Sequence, residues 1–153
     1  MKILILNGPN LNLLGQREPE IYGTTSLDDL NRRLAQYGES LNQARAEHAR
    51  VELYFYQSNH EGVLIDMIQK APDTYAGILY NPAAHSHYSI ALRDAVAAIP
   101  TPVVEVHYSD IAVREGFRRV SLMEDVTVAQ FKGKGVVSYE EGLAYLINYI
   151  DEH

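Results

Sequence analysis

Apolar residues along the chain fall into short unbroken runs alternating with stretches of helical spacing. Residues 3–6, Ile-Leu-Ile-Leu, form a continuous apolar run of the kind a strand buried on both faces shows. Similar runs follow at 51–56, 77–80 and 102–107, and a fifth at 126–131. Between them, apolar positions recur three and four apart. Ser26 with Asp28 and Asp29 opens the first such stretch as a cap with acids in the first turn, and Leu27, Leu30, Leu34, Leu41 and Ala44 carry it to about Ala49. Gly38 is its weak point, costing roughly 1 kcal/mol against alanine. Val63, Leu64, Met67, Ile68 and Ala71 make a second helical face, ended by Pro72. Ile90, Ala91, Leu92, Ala95, Val96 and Ile99 make a third before Pro100. A last helix carries Leu143, Leu146, Ile147 and Ile150, with Ser138 and Glu141 reading as its capping box.

Strict alternation of strand and helix predicts an α/β fold: a three-layer sandwich whose five-stranded parallel sheet has helices on both faces. Five strands in this pattern suggest the flavodoxin-like order 2-1-3-4-5. The 153 residues fit one domain, with no internal repeat or linker. In such sheets ligands bind outside the carboxyl ends of the strands, near the switch between the first and third. That rule gathers the most polar joints of the chain: Asn7 and Asn10, 58–60, 81–87 and 107–118. The joint after the first strand is unusual. Asn7-Gly8-Pro9-Asn10 is turn chemistry, and the segment of about 15–24 that follows is a long, apolar-studded flap carrying Arg17 and Tyr22.

Charge and cysteine usage narrow the function. A net charge of -7 argues against a general nucleic-acid binder or a protein held on anionic membrane. The absence of cysteine excludes disulfides, a thiol nucleophile and thiolate metal sites, and fits a reducing cytoplasm. The apolar run at the N-terminus is too short for a signal peptide or membrane span.

Among titratable groups, His107 ends the fourth strand, with Glu105 two residues earlier on the same face. A carboxylate beside an imidazole orients the ring and favours its protonated form, as a general acid requires. His85 and His87 form a His-x-His, but no third ligand stands at metal spacing, and a hydroxyl-binding role suits one of them better. Asn81 at the end of the third strand would place an amide in the pocket. Tyr22 is a base only if its pKa falls well below about 10, as Arg17 and Arg114 nearby could arrange; otherwise it is an ordinary packed loop tyrosine. Arg118 suits an anionic or polyhydroxylated ligand. Lys132-Gly133-Lys134-Gly135 lacks the spacing of a phosphate loop and reads as the turn before the last helix.

Several spaced motifs together resemble the type II 3-dehydroquinate dehydratases. They are 7–15 (NGPNLNLLG), 17–23 (REPEIYG), 57–62 (QSNHEG), 81–84 (NPAA) with His87, and 105–107 (EVH). Residues 91–95 (ALRDA), Arg114-Glu115 and Phe117-Arg118 match too. The resemblance implies reversible trans-dehydration of 3-dehydroquinate to 3-dehydroshikimate through an enolate, in the shikimate pathway or quinate catabolism, without metal or cofactor. It implies Tyr22 as the base at C2, with Arg17 and Arg114 lowering its pKa, and Asn10 holding the water that stabilises the enolate. His107, oriented by Glu105, would protonate the departing hydroxyl. Asn81 and the Tyr108-Ser109 backbone would bind the carboxylate, and His87 and Arg118 the ring hydroxyls. Asp94 matches an aspartate that reaches a neighbouring subunit's site, in an assembly that is usually a dodecamer of four trimers. The chain departs from the pattern at Tyr108, Asp110, Ala112 and Gly116, and Asp110 adds negative charge near an anionic substrate. A flavodoxin-like binding or signalling module is the competing class. A flavin binder wants a Ser/Thr/Gly phosphate loop after the first strand, and a phosphoacceptor wants acids there; this chain has asparagines and a flap.

Overall fold

The computed structural model describes residues 1–16 and 18–153, with Tyr22 described for its backbone alone. Strands β1 (Lys2–Asn7), β2 (Glu52–Gln57), β3 (Gly77–Asn81), β4 (Val103–His107) and β5 (Ala129–Lys132) form one parallel sheet in the order β2-β1-β3-β4-β5. The expected order and parallel sense therefore hold. Helices α2 (Leu27–Asn42) and α5 (Val136–Glu152) cover one face, and α3 (Glu61–Lys70) and α4 (Ile90–Ala97) the other. A one-turn helix, α1 (Pro19–Tyr22), lies in the flap.

The period of two sorts the strand residues between two cores. Ile3, Ile5, Leu79, Val104 and Val106 meet Leu30 and Leu34 of α2 and Tyr139, Leu143 and Leu146 of α5. Leu4, Leu6, Ile78, Tyr80 and Val103 meet Leu64 and Ile68 of α3 and Leu92 and Val96 of α4. All of β3 and β4 is buried, which is why those strands read as unbroken apolar runs. Each fully buried aliphatic side chain contributes about 1.5–3 kcal/mol. Gly38 has a packing role in mid-helix: a Cβ there would stand 3.1 Å from Leu53 Cδ1, so glycine lets α2 lie close against β2.

Three boundaries differ from the sequence expectation. The first long helix stops at Asn42, not near Ala49, with only a short 3-10 turn at Glu47–Ala49 beyond it. The buried Asn42 amide donates to the Val51 carbonyl (2.9 Å) and accepts from the Val51 N–H (2.7 Å), clamping the chain as it turns into β2. Strand β5 starts at Ala129, because residues 121–128 are taken up by turns beneath the sheet edge. Helix α5 starts at Val136, after Gly135, so Ser138 is not its cap: its Oγ accepts from the Lys134 N–H (2.9 Å), while Glu141 pairs with the Lys134 ammonium (2.9 Å). The Ser26–Asp29 pair, by contrast, forms a reciprocal capping box on α2.

Asn42→Ala would leave two buried backbone groups without partners. At about 1–3 kcal/mol for an unsatisfied buried group, a loss of at least about 2 kcal/mol is expected. Urea unfolding should show it as a lower midpoint with an unchanged slope.

Candidate active site

A cavity of about 140 Å³ opens at the carboxyl ends of β1, β3 and β4. Its walls come from the turn after β1, from the 3-10 segment Ala83–His87 after β3, and from the loop after β4. The turn after β1 is tightly determined. A Cβ on Gly8 would lie 2.6 Å from the Pro82 carbonyl oxygen, so only glycine lets the two loops meet. Asn10 takes a left-handed conformation (φ 67), and its N–H donates to Asn59 Oδ1 (2.9 Å). Gln57 Nε2 donates to the same oxygen (3.0 Å) and to the Gly8 carbonyl (3.2 Å). The joint at 57–60 thus braces the site from behind and does not line it, which corrects the expectation that 58–60 enter the pocket.

His107 lies at the pocket floor, 4% exposed, and its Nε2 meets Glu105 Oε1 at 2.6 Å. Glu105 is fully buried. Burial alone would raise its pKa, but the bond from His107 and the imidazole's charge outweigh that, helped by Ser121 and Gln130, and hold the carboxyl below its usual range. With Nε2 committed to Glu105, Nδ1 is the ring nitrogen left for a ligand.

The two histidines of the His-x-His part company. His87 lines the cavity, while His85 is buried away from it, edge-on to Tyr88 at 5.7 Å. His87 Nδ1 lies 2.8 Å from the Val120 carbonyl, so it donates, and Nε2 is the acceptor. Burial pushes the His87 imidazole down, which keeps it neutral and suited to a substrate hydroxyl. No cluster of three metal-ligating side chains occurs among the described residues.

Asn81 lines the pocket at the end of β3. Its Oδ1 accepts from the Ala83 N–H (2.9 Å), and its Nδ2 donates to the Tyr139 hydroxyl (2.7 Å), which in turn donates to Asn7 Oδ1 (2.8 Å). Tyr139, fully buried on α5, therefore sets the amide's orientation. Burial pushes its phenol far up and keeps it a neutral relay. Asn7 faces this relay and not the cavity.

Asn10, Tyr108, Ser109, Arg114 and Arg118 also line the cavity, with Leu11, Leu14 and Ile111 on its apolar side. The loop after β4 holds two 3-10 turns, Ile111–Val113 and Gly116–Arg118. Asp110 caps the first, accepting from the Ala112 N–H (2.9 Å), so its charge is used within the loop. Arg118 stacks beside Phe117 (5.1 Å), with Nε 3.5 Å from the Glu115 carboxylate. The Lys132–Gly135 stretch is the turn before α5, as read from sequence, with Gly133 packed against Asp110. Asp94, on α4, is two-thirds exposed and does not line the cavity.

The flap springs from this wall. Gly15 (φ +86) and Gly23 (φ +68) bound it, and a Cβ on Gly15 would strike the Thr24 carbonyl oxygen at 2.8 Å. The flap is thereby pinched shut at its base. Arg17 and the Tyr22 side chain lie outside the described residues.

A parallel α/β sheet with an imidazole–carboxylate pair, a second histidine presenting an acceptor nitrogen and two arginines at its carboxyl edge defines an enzyme of acid–base chemistry. Residues 1–147 match the model of the dehydroquinase class II family, and the chain belongs to that family. It is 51% identical over 146 residues to the 3-dehydroquinate dehydratase of Bacillus licheniformis, covering 95% of each chain. It is 50% identical to that of Carboxydothermus hydrogenoformans, covering 98% of this chain and 92% of the relative. Among solved structures, the type II dehydroquinase of Butyrivibrio crossotus superposes with a TM-score of 0.88 at 42% identity, covering 95% of this chain and 97% of that one.

Sequence reasoning missed Ser121, Gln130 and Tyr139, which carry no chemistry of their own and act through Glu105 and Asn81. A side chain that only bonds another leaves no local pattern to read.

Proposed function

We propose that the protein dehydrates 3-dehydroquinate reversibly to 3-dehydroshikimate, with Tyr22 as base and His107 as acid. The observation that carries this reading is the buried His107–Glu105 pair (2.6 Å) at the floor of an arginine-lined pocket, in a chain of the dehydroquinase class II family. The Tyr22 phenolate takes the proton from C2, beside the ketone, and the C–H electrons move into the enolate. Arg17 and Arg114 favour the phenolate by their positive charge. Asn10 holds the water that stabilises the enolate oxygen. The enolate then collapses, the C1–O bond breaks, and His107 supplies the proton with which the hydroxyl leaves as water. Asn81 and the backbone at Tyr108 and Ser109 receive the substrate carboxylate, and His87 and Arg118 the ring hydroxyls.

Every proton in this scheme moves through a side chain of the protein, so no cofactor or metal is called on. The assembly is a homododecamer of four trimers, in which Asp94 reaches a neighbouring subunit's site. The protein works in the cytoplasm, in the shikimate pathway or in quinate catabolism, without nucleic-acid or membrane partners. The test is ultraviolet absorbance of the conjugated enone product with purified protein. Activity is expected without added metal or nucleotide and unchanged by a chelator. Loss with the chelator, restored by a divalent metal, would overturn the reading.

A further inference from the structure

Glu105 is unusual in how completely it is supplied with donors. Its Oε1 takes His107 Nε2 at 2.6 Å and the Ser121 hydroxyl at 2.5 Å, and its Oε2 takes Gln130 Nε2 at 2.8 Å. Neither Ser121 nor Gln130 is among the described residues lining the cavity. Both are nevertheless aimed by the fold. Gln130 on β5 is the direct parallel partner of Glu105 on β4, so their side chains leave the same face of the sheet. Ser121 Oγ accepts from the Met123 N–H (3.1 Å), which occupies a lone pair and leaves its own hydrogen for Glu105. The turn that presents it is fixed by the Leu122 N–H donating to the Ser86 carbonyl (2.7 Å).

We infer that Ser121 and Gln130 are positioning residues for the acid: by filling both oxygens of Glu105 they keep it a carboxylate, so that the proton shared by the pair resides on His107. The physical reason is competition for one proton. A buried carboxylate short of donors is destabilised and takes up a proton. The nearest proton is the one on His107 Nε2. If Glu105 took it, the imidazole would be neutral, and giving up Nδ1–H to a departing hydroxyl would leave an imidazolate. With three donors the ion pair is the favoured arrangement, and the imidazolium can act as an acid. The other titratable groups facing the pair do not compete. Tyr80, its partner on β3, is pushed far up by burial and by the charge of Glu105, and stays neutral. His87 is pushed down by burial, away from its charged form. Lys132 stands beside His107 in register.

This inference rests on His107 being the acid, and the test separates the two. The parent protein and Gln130→Leu, labelled with ¹⁵N-histidine and ¹³C-carboxyl glutamate, are compared by NMR from pH 5 to 8. In the parent, the proton taken up by the pair should appear on His107, with both ring nitrogens protonated and Glu105 ionised. In Gln130→Leu, a substantial share should move to the Glu105 carboxyl. Dehydration should fall roughly tenfold, the effect of one lost charge-assisted hydrogen bond, with KM within about twofold and C2 proton exchange unchanged. Ser121→Ala should act in the same direction and Ser121→Thr should restore the parent behaviour, and these carry the test if Gln130→Leu fails to fold. A Gln130→Leu or Ser121→Ala protein whose His107 and Glu105 signals match the parent's would overturn the inference, whatever its rate. Retained dehydration in His107→Ala would instead refute the acid assignment, and the location of the proton would still be measured.

Discussion

His107→Ala is expected to lower steady-state dehydration by at least roughly 10²-fold, the low end for loss of a general acid. The expectation comes from what surrounds the imidazole. His107 is almost wholly buried at the pocket floor, and its Nε2 is fixed by Glu105. Among the described residues, the other imidazole and the guanidinium at the cavity are not suited to replace it. His87 holds its Nδ1 hydrogen on the Val120 carbonyl and presents an acceptor, and the guanidinium of Arg118 releases no proton at neutral pH. Alanine also leaves room for water, a far weaker acid at this position. The fold should survive, because Glu105 keeps its bonds to Ser121 and Gln130. Enone absorbance gives the rate and circular dichroism the fold. Turnover within about threefold of the parent would show that His107 is not the acid.

Tyr22→Phe is expected to cost at least roughly 10²-fold in turnover as well, for a different reason. Phenylalanine keeps the ring and removes the phenol oxygen proposed to take the proton, so substrate binding should change little. The base needs a phenol pKa well below about 10, and that is the task assigned to Arg17 and Arg114. Arg114 lines the cavity, whereas Arg17 belongs to the same stretch of sequence as Tyr22. Closure of the flap over substrate would exclude water and strengthen the effect of both arginines on the phenol. Tyr22→Phe should therefore lower kcat with KM within a few-fold of the parent. A raised KM with kcat kept would assign Tyr22 to binding alone.

How far the sequence could be read depended on how local the cause was. Strands β1, β3 and β4 were legible because both faces are buried, so their residues form unbroken apolar runs. His107 and Glu105 followed from the same strand: two residues apart on one face at a carboxyl end, they had to meet, and they do at 2.6 Å. The end of α2 was not legible, since helical spacing continues through Ala44 and the stop is a tertiary clamp between Asn42 and Val51. Ser138 and Glu141 have the spacing of a capping box, yet Gly135 (φ +58) lets α5 begin one turn earlier at Val136. The separation of His85 from His87 was hidden as well. The 3-10 segment after β3 turns one ring into the cavity and the other into the protein. Ser121, Gln130 and Tyr139 could be recognised only once the sheet and α5 brought them to Glu105 and Asn81.

In the proposed mechanism two different side chains handle the two protons, Tyr22 removing one at C2 and His107 delivering the other to the hydroxyl. It is tested most directly by following exchange of the substrate's C2 proton with solvent by NMR in deuterated water, in parent, Tyr22→Phe and His107→Ala proteins. His107→Ala, though unable to complete dehydration at a normal rate, should still exchange the C2 proton, because the enolate forms and returns. Tyr22→Phe should lose exchange and dehydration together. If Tyr22→Phe exchanges the C2 proton as fast as the parent, Tyr22 is not the base and the division of labour drawn here is wrong.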